Sequence, residues 1–191
     1  KQVQKFLDCR LEKMYDPYLF NGMDKVVNRI LSAIETGEKI IIYGDYDVDG
    51  ITSSSLLLNY LKDCGAEVDY YIPNRLEEGY GLNKQAINNL AELDTSLIIT
   101  VDCGIKAYEA IELANRLGME VIVTDHHTAP QNLPAALEII NPKRHDSNYP
   151  FAELAGVAVA FKVVQALELA RTDTQMPTAS RCLALVTLGV V

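Results

Sequence analysis

Lys39-Ile-Ile-Ile-Tyr-Gly-Asp-Tyr-Asp-Val-Asp-Gly50 sets an unbroken apolar run against three aspartates at alternate positions and closes them with glycine. An apolar run without polar alternation reads as a strand buried on both faces, the kind that builds parallel sheets. Working outward, the same pattern recurs. Short runs at Val68 to Ile72, Leu97 to Val101 and Glu120 to Thr124 alternate with helical stretches near 52–63, 83–92 and 106–117. A fifth strand is expected from Leu137 to Ile140, stopped by Asn141 and Pro142. Gly65 and Gly118 punctuate two of the helix ends. Upstream, Met23, Val26, Val27, Ile30, Leu31 and Ile34 fall at helical spacing, with Asn21 as the cap and Gly37 as the stop. Downstream, helices are expected over 153–170 and from about 179, the latter carrying Leu183, Val186 and Leu188. The fold class that follows is α/β: a doubly wound parallel sheet of about five strands with helices on both faces.

The chain reads as one domain over 1–191, with a helical lead-in over 1–38, an alternating core over 39–145 and C-terminal helices over 146–191. It starts without methionine and stops at Val191 inside an apolar stretch, so a fragment of a longer protein is expected. With 49% hydrophobic and 23% charged residues the core needs no staples. The apolar runs are far shorter than the roughly 20 residues a bilayer span requires. No membrane association and no export signal are expected. Cys9, Cys64, Cys103 and Cys182 lie far apart without a Cys-x-x-Cys pair, which fits reduced thiols in a cytoplasmic protein better than a disulfide frame or a zinc site. Twenty-six acidic against seventeen basic residues give a net charge of −9. That opposes long-range attraction to nucleic acid, so any such binding must be local.

Ligands of open α/β sheets bind beyond the carboxyl ends of the strands. Asp45, Asp47 and Asp49 follow the first strand, Asp102 closes the third, and Asp125-His126-His127 closes the fourth, so all converge on one edge. Carboxylates crowded there repel unless cations neutralise them. Oxygen ligands with imidazole suit Mn²⁺ or Mg²⁺, and two such ions roughly 3.5–4 Å apart would serve phosphoryl hydrolysis. Taken singly, each piece has a plainer reading: a solvated Asp-rich turn, a helix cap at Asp102, turn histidines. An EF-hand loop is excluded, because its twelfth position would be Leu56 where a bidentate Glu is needed.

Arg75 and Tyr80, in the Gly-rich segment after the second strand, are expected to contact a phosphate and stack a base; a simple turn is the alternative. Lys143 and Arg144 after the fifth strand offer a second phosphate contact. Thr52-Ser-Ser-Ser55 reads as a helix N-terminus. Cys103 has no feature that would activate it as a nucleophile, and His145 is read as a surface loop residue.

Tyr43-Gly-Asp-Tyr-Asp-Val-Asp-Gly-Ile-Thr52, Arg75-Leu-Glu-Glu-Gly-Tyr-Gly-Leu82, Val101-Asp-Cys-Gly104 and Thr124-Asp-His-His127 resemble the successive motifs of the DHH phosphoesterase family. The Arg75 segment, Asn141-Pro-Lys-Arg144 and Tyr149-Pro-Phe-Ala-Glu-Leu-Ala-Gly156 resemble its single-strand DNA exonuclease branch. The resemblance runs from about Asp16 to Val191. It implies that Asp45, Asp47, Asp102 and His126 are metal ligands, with Asp102 bridging two ions. It also implies that His127 faces the scissile phosphate, that Asp125 orients a histidine and that Asp49 holds the loop in shape. The implied activity is metal-dependent 5′-to-3′ exonuclease action on single-stranded DNA in repair and recombination. Single-strand-binding protein or a helicase would be the partner; no oligomeric state is implied. Three departures stand out. Tyr43 occupies a position where many members have His, and Ala158 one where relatives often have Gly, which a helix accepts. Thr187 to Val191 resembles the start of a final motif whose metal-binding Asp would come next, and the further domains of the exonuclease branch would also lie beyond.

Alternative readings are a DHH phosphatase or phosphodiesterase for short oligonucleotides or nucleotides, and a catalytically incomplete nucleic-acid-binding fragment. A dinucleotide-binding domain is disfavoured by the lack of a Gly-x-Gly-x-x-Gly turn.

Overall fold

Parallel pairing of all five strands, in the order β2-β1-β3-β4-β5, organises the computed structural model, which describes residues 14–74, 81–171 and 179–191. Along the chain come α1 (Met23–Thr36), β1 (Ile40–Gly44), α2 (Val48–Asp63), β2 (Val68–Tyr71), α3 (Lys84–Ala91) and β3 (Leu97–Val101). They are followed by α4 (Tyr108–Arg116), β4 (Glu120–Thr124), β5 (Glu138–Ile140), α5 (Gly156–Ala170) and α6 (Leu183–Val190). Strand residues alternate between two apolar layers, as period 2 requires. Ile40, Ile42, Leu97 and Ile99 join the layer of α1, α2 and α5. Ile41, Tyr43, Ile98 and Val121 join the layer of α3 and α4. The doubly wound α/β sheet expected from the strand runs is therefore present.

The chain leaves β1 toward β2 on one side and reaches β3 on the other, so the sheet's switch point lies between the carboxyl ends of β1 and β3. The loops carrying Asp45, Asp47 and Asp102 flank that point.

Three local readings change. Gly22, left-handed at φ 80°, caps α1 without a side-chain bond; Asn21 instead donates from Nδ2 to the Asp146 carbonyl at 2.5 Å. Helix α2 begins at Val48, four residues before the Thr-Ser run, because the Asp47 carboxylate accepts from Gly50 N at 2.9 Å and caps it. Thr52, Ser53, Ser54 and Ser55 sit inside the helix, where each hydroxyl donates back to the carbonyl four residues earlier. In α6, Leu183 and Val186 pack on the core whereas Leu188 is exposed.

Helix α6 lies close against the start of α2 and α5. A Cβ on Gly189 would fall 2.3 Å from Thr52 Oγ1 and 2.8 Å from Val157 Cγ1, so only glycine permits that approach. Helix α5 is apolar nearly all round and buries even Lys162, whose Nζ donates to the Tyr15 carbonyl at 2.8 Å and to Gln165 Oε1 at 2.7 Å. Burial pushes that ammonium down to about 8. Among the described residues, no helix is long and apolar enough to cross a membrane.

Candidate metal centre

Two groups of potential ligand atoms meet at the switch point, each with all its atoms within 4.8 Å of one another: Asp45, Asp47 and Asp102, and Asp102, His126 and His127. Asp102 belongs to both. Its backbone is left-handed at φ 60°, a conformation Asp tolerates better than most residues. That turn carries a 2%-exposed carboxylate over the end of β3. Asp45 is equally buried, while Asp47 is exposed at the start of the helix it caps.

The tautomer of His126 decides what this arrangement requires. Nδ1 lies 2.9 Å from the Leu154 carbonyl, which only accepts, so Nδ1 carries the proton. In the neutral ring, Nε2 is then a bare lone pair. It lies 3.0 Å from Asp102 Oδ1 and 3.6 Å from Asp49 Oδ2. Two lone pairs thus face each other at hydrogen-bonding distance without a proton between them, and the buried Oδ1 of Asp102 has no other hydrogen-bond partner. A second proton on His126 or a shared cation resolves the contact. Burial pushes Asp102 up to about 6, opposed by His126 and reinforced by Asp49 and Asp47. Asp102 in turn raises His126 against the effect of burial. Three carboxylates and the His126 nitrogen with its lone pair turned inward are a hard oxygen and nitrogen donor set, which fits Mn²⁺ or Mg²⁺.

Asp125 supports the centre from behind. Its Oδ1 accepts from His127 Nδ1 at 2.7 Å and from the amides of His126 and His127, and its Oδ2 accepts from Ile105 N at 3.0 Å. Burial acts to raise this carboxyl, but those hydrogen bonds outweigh it and hold it below the usual range. The same pair raises His127 and leaves Nε2 as its outward nitrogen. Asn141, also buried, donates from Nδ2 to the His127 carbonyl at 3.0 Å.

Asp49 does more than shape its own loop. Both of its carboxylate oxygens accept 2.6 Å hydrogen bonds, from the amides of Gly156 and Val157. It thereby caps α5, whose own N-cap, Ala155, has no side chain to do so. Gly156 is required there, because a Cβ would fall 2.7 Å from Asp102 Oδ1. The start of α5 is thus pinned to the centre twice, through Asp49 and through the bond between Leu154 and His126.

The remaining candidates are placed differently. Arg144 is tied within the fold: its guanidinium meets both Asp146 oxygens, Glu138 Oε1 at 3.3 Å and the Ile139 carbonyl, so a phosphate would have to displace these partners. Lys143 pairs with Glu153 at 3.3 Å. Arg75 and Tyr80 lie outside the described residues. The Tyr43 hydroxyl donates to the Gly81 carbonyl at 3.0 Å and its ring stacks on Tyr71, so it is built into the α3/α4 layer. Cys103 is buried, and burial raises its thiol well above the usual range, which removes it as a nucleophile. His145 is exposed. Sequence reasoning missed Leu154, Gly156 and Asn141, of which only Gly156, a glycine opening a helix, carries a local signal.

Comparison with known proteins identifies the family. The profile described as "DHH family, N-terminal domain" matches residues 39–190. The single-stranded-DNA-specific exonuclease RecJ of Bacillus subtilis strain 168 is 49% identical over 167 residues, 87% of this chain and 21% of that protein. RecJ of Escherichia coli K12 is 40% identical over 180 residues, 90% of this chain and 31% of that protein. A crystal structure of exonuclease RecJ bound to manganese superposes with a TM-score of 0.79 at 32% identity, covering 90% of this chain and 43% of that one. RecJ of Thermus thermophilus in complex with Mn²⁺ gives a TM-score of 0.75 at 28% identity, covering 90% and 24%. The chain spans between a fifth and a third of the length of these two curated relatives. With its motif aspartates and histidines gathered at the switch point of the sheet, the chain belongs to the DHH family.

Proposed function

We propose that this chain is the metal-binding part of a phosphodiesterase that degrades single-stranded DNA from its 5′ end, in repair and recombination in the cytoplasm. The observation that carries this reading is the pair of donor groups sharing Asp102, with an imidazole lone pair and a carboxylate lone pair turned toward each other. Asp45, Asp47, Asp102 and His126 would hold two divalent ions, Mn²⁺ or Mg²⁺. Bound there, the ions would supply a nucleophile from water at neutral pH and offset charge on the phosphate oxygens. His127, kept protonated to higher pH by Asp125, is suited to donate a hydrogen bond to a phosphate oxygen. Asp49 positions α5 and, through it, the carbonyl that orients His126. Arg75 and Tyr80 would hold the strand, with Lys143 on the backbone further out. Single-strand-binding protein or a helicase would supply the unpaired strand.

The test is nucleotide release by the full-length protein from 5′-labelled single-stranded DNA. Labelled mononucleotide should appear first, only with Mn²⁺ or Mg²⁺, and vanish on chelation. Release that begins at the 3′ end, or hydrolysis confined to free nucleotides, would overturn the reading.

A further inference from the structure

Next to the metal centre, on the side of α3 and α4, lies a cavity of about 230 Å³ whose lining includes Asp125 and His127. Lys106 and the buried Cys103 apart, the rest of the lining is apolar or bare backbone: Leu82, Ile105 and Ala107, with Gly81 and Gly104. Both glycines are left-handed, at φ 73° and 108°. At Gly104 a Cβ would also fall 2.7 Å from Thr100 Oγ1, so that stretch of wall stays free of side chains. The cavity is smaller than the roughly 300–1,000 Å³ of a pocket for a drug-sized ligand, and its size suits one nucleoside. Among the described residues, apart from the centre's own and the rim residue Lys106, the walls offer no free side chain that would read the edge of a base, since the Cys103 thiol is turned to the Tyr43 carbonyl, so any base would be accepted.

Lys106 stands exposed at the rim, and among the described residues no carboxylate is paired with it. It also lines a more open groove that runs on past Asn83, Tyr108 and the ion pair of Lys84 with Glu109. Cavity and groove share Leu82, Lys106 and Ala107, so they are continuous. Helix α4 begins at that junction without a side-chain cap, and Glu109 in its first turn is paired with Lys84, so its free amides add to the Lys106 charge. On a chain of net charge −9, a local cation at this point is what a backbone phosphate leaving the centre would meet.

We propose that the cavity is a nucleoside subsite: it takes the sugar and base adjoining the phosphate held at the metal centre, and the strand continues past Lys106, which binds the next phosphate. The proposal rests on the phosphodiesterase reading above and adds the path of the strand, with a base-indifferent contact as the reason any sequence would be accepted.

The experiment measures binding of fluorescent oligo(dT) to the full-length protein in Ca²⁺, to suppress turnover, with a single abasic residue walked through the first four positions. In the wild type one position should be sensitive, losing about tenfold or more in affinity. Ala107→Phe, which fills the cavity from a partly exposed position, should lose a similar factor on intact oligo(dT). It should then be indifferent to the abasic residue, because the two losses remove one interaction. Lys106→Gln should lower the steepness of the log affinity against log salt plot by about 0.7, the value for one phosphate on a single strand. Melting curves with and without Mn²⁺ identify any variant that is misfolded or has a damaged metal centre. Additive losses from Ala107→Phe and the abasic residue, or an unchanged salt slope in Lys106→Gln, overturn the subsite. A wild type that neither binds nor cuts single-stranded DNA overturns the phosphodiesterase reading itself.

Discussion

Replacing Asp102 with Asn should make the metal-free protein more stable while abolishing its response to metal. The wild-type carboxyl is raised from 3.8 to about 6, chiefly by burial. Each unit is about 1.4 kcal/mol, so the ionised Asp102 costs about 3 kcal/mol at neutral pH when no cation is bound. The folded state binds more protons than the unfolded chain between those two values. Stability therefore falls as pH rises through the window, and the cost is complete above about pH 6. Asn removes the charge, keeps the shape and is at home at φ 60°. Its amide also supplies the proton missing between position 102 and His126 Nε2, now 3.0 Å from a carboxylate oxygen. The expected gain is up to about 3 kcal/mol at pH 7.5, or roughly 6–12 °C in melting temperature for a domain of this size. It should shrink to almost nothing near pH 4. Wild type should recover about 2.7 kcal/mol in Mn²⁺ at a hundredfold excess over its dissociation constant, and the Asn variant should recover little. Melting curves in chelator and in Mn²⁺ at three pH values decide the matter. A metal-free Asn variant that melts below wild type, or one that keeps the full Mn²⁺ shift, refutes the reasoning.

Gly156→Ala should weaken the Mn²⁺ shift, because its Cβ would fall 2.7 Å from Asp102 Oδ1. Gly65→Ala, at φ 81° with open space around it, should cost about 1–2 kcal/mol in backbone strain and leave the shift intact; equal effects on metal binding would discount the Gly156 contact. Asp49→Ala removes two hydrogen bonds from the start of α5 and should cost about 2 kcal/mol by chemical denaturation. In the full-length protein it should retain far more activity than Asp102→Ala, and equal losses would contradict a shared ligand at 102. Lys162→Met tests the buried ammonium, lowered from 10.5 to about 8 mainly by desolvation. The folded state binds fewer protons between those values, so the cost of about 3 kcal/mol is full below pH 8 and relieved as pH rises to 10.5. The Met variant should therefore be more stable than wild type at pH 7, with the advantage shrinking by pH 10; a constant difference would mean the ammonium is already well solvated.

The sheet was legible because its signal is local and repeated: each strand is a short β-branched run closed by a loop residue, and Leu97–Val101 needs no distant partner to be read. The edge of the centre was legible for the same reason, since Asp45, Asp102 and Asp125 each directly follow a strand, with His126 one residue further on. Contacts made over long separations were not. Asp49 bonds amides 107 and 108 positions away, and His126 takes its tautomer from a carbonyl 28 positions away; no local pattern encodes either. Arg144 illustrates the converse, because a cation next to a lysine looks available until Glu138 and Asp146 are seen to surround it. The Thr-Ser run misled because hydroxyls that favour a helix start also bond back within a helix.

A helix that borrows its cap from another part of the chain inherits a folding order. Helix α5 has no side-chain cap of its own, so its first turn is completed only when the first turn of α2, which carries Asp49, has docked, a closure across more than a hundred residues. The amides of Gly156 and Val157 should therefore be among the last in the sheet region to gain protection from hydrogen exchange during refolding, and among the first to lose it in native-state opening. Since the loop leading into that turn carries Asp45 and Asp47, those two amide signals follow in time whether one half of the candidate metal centre has been assembled.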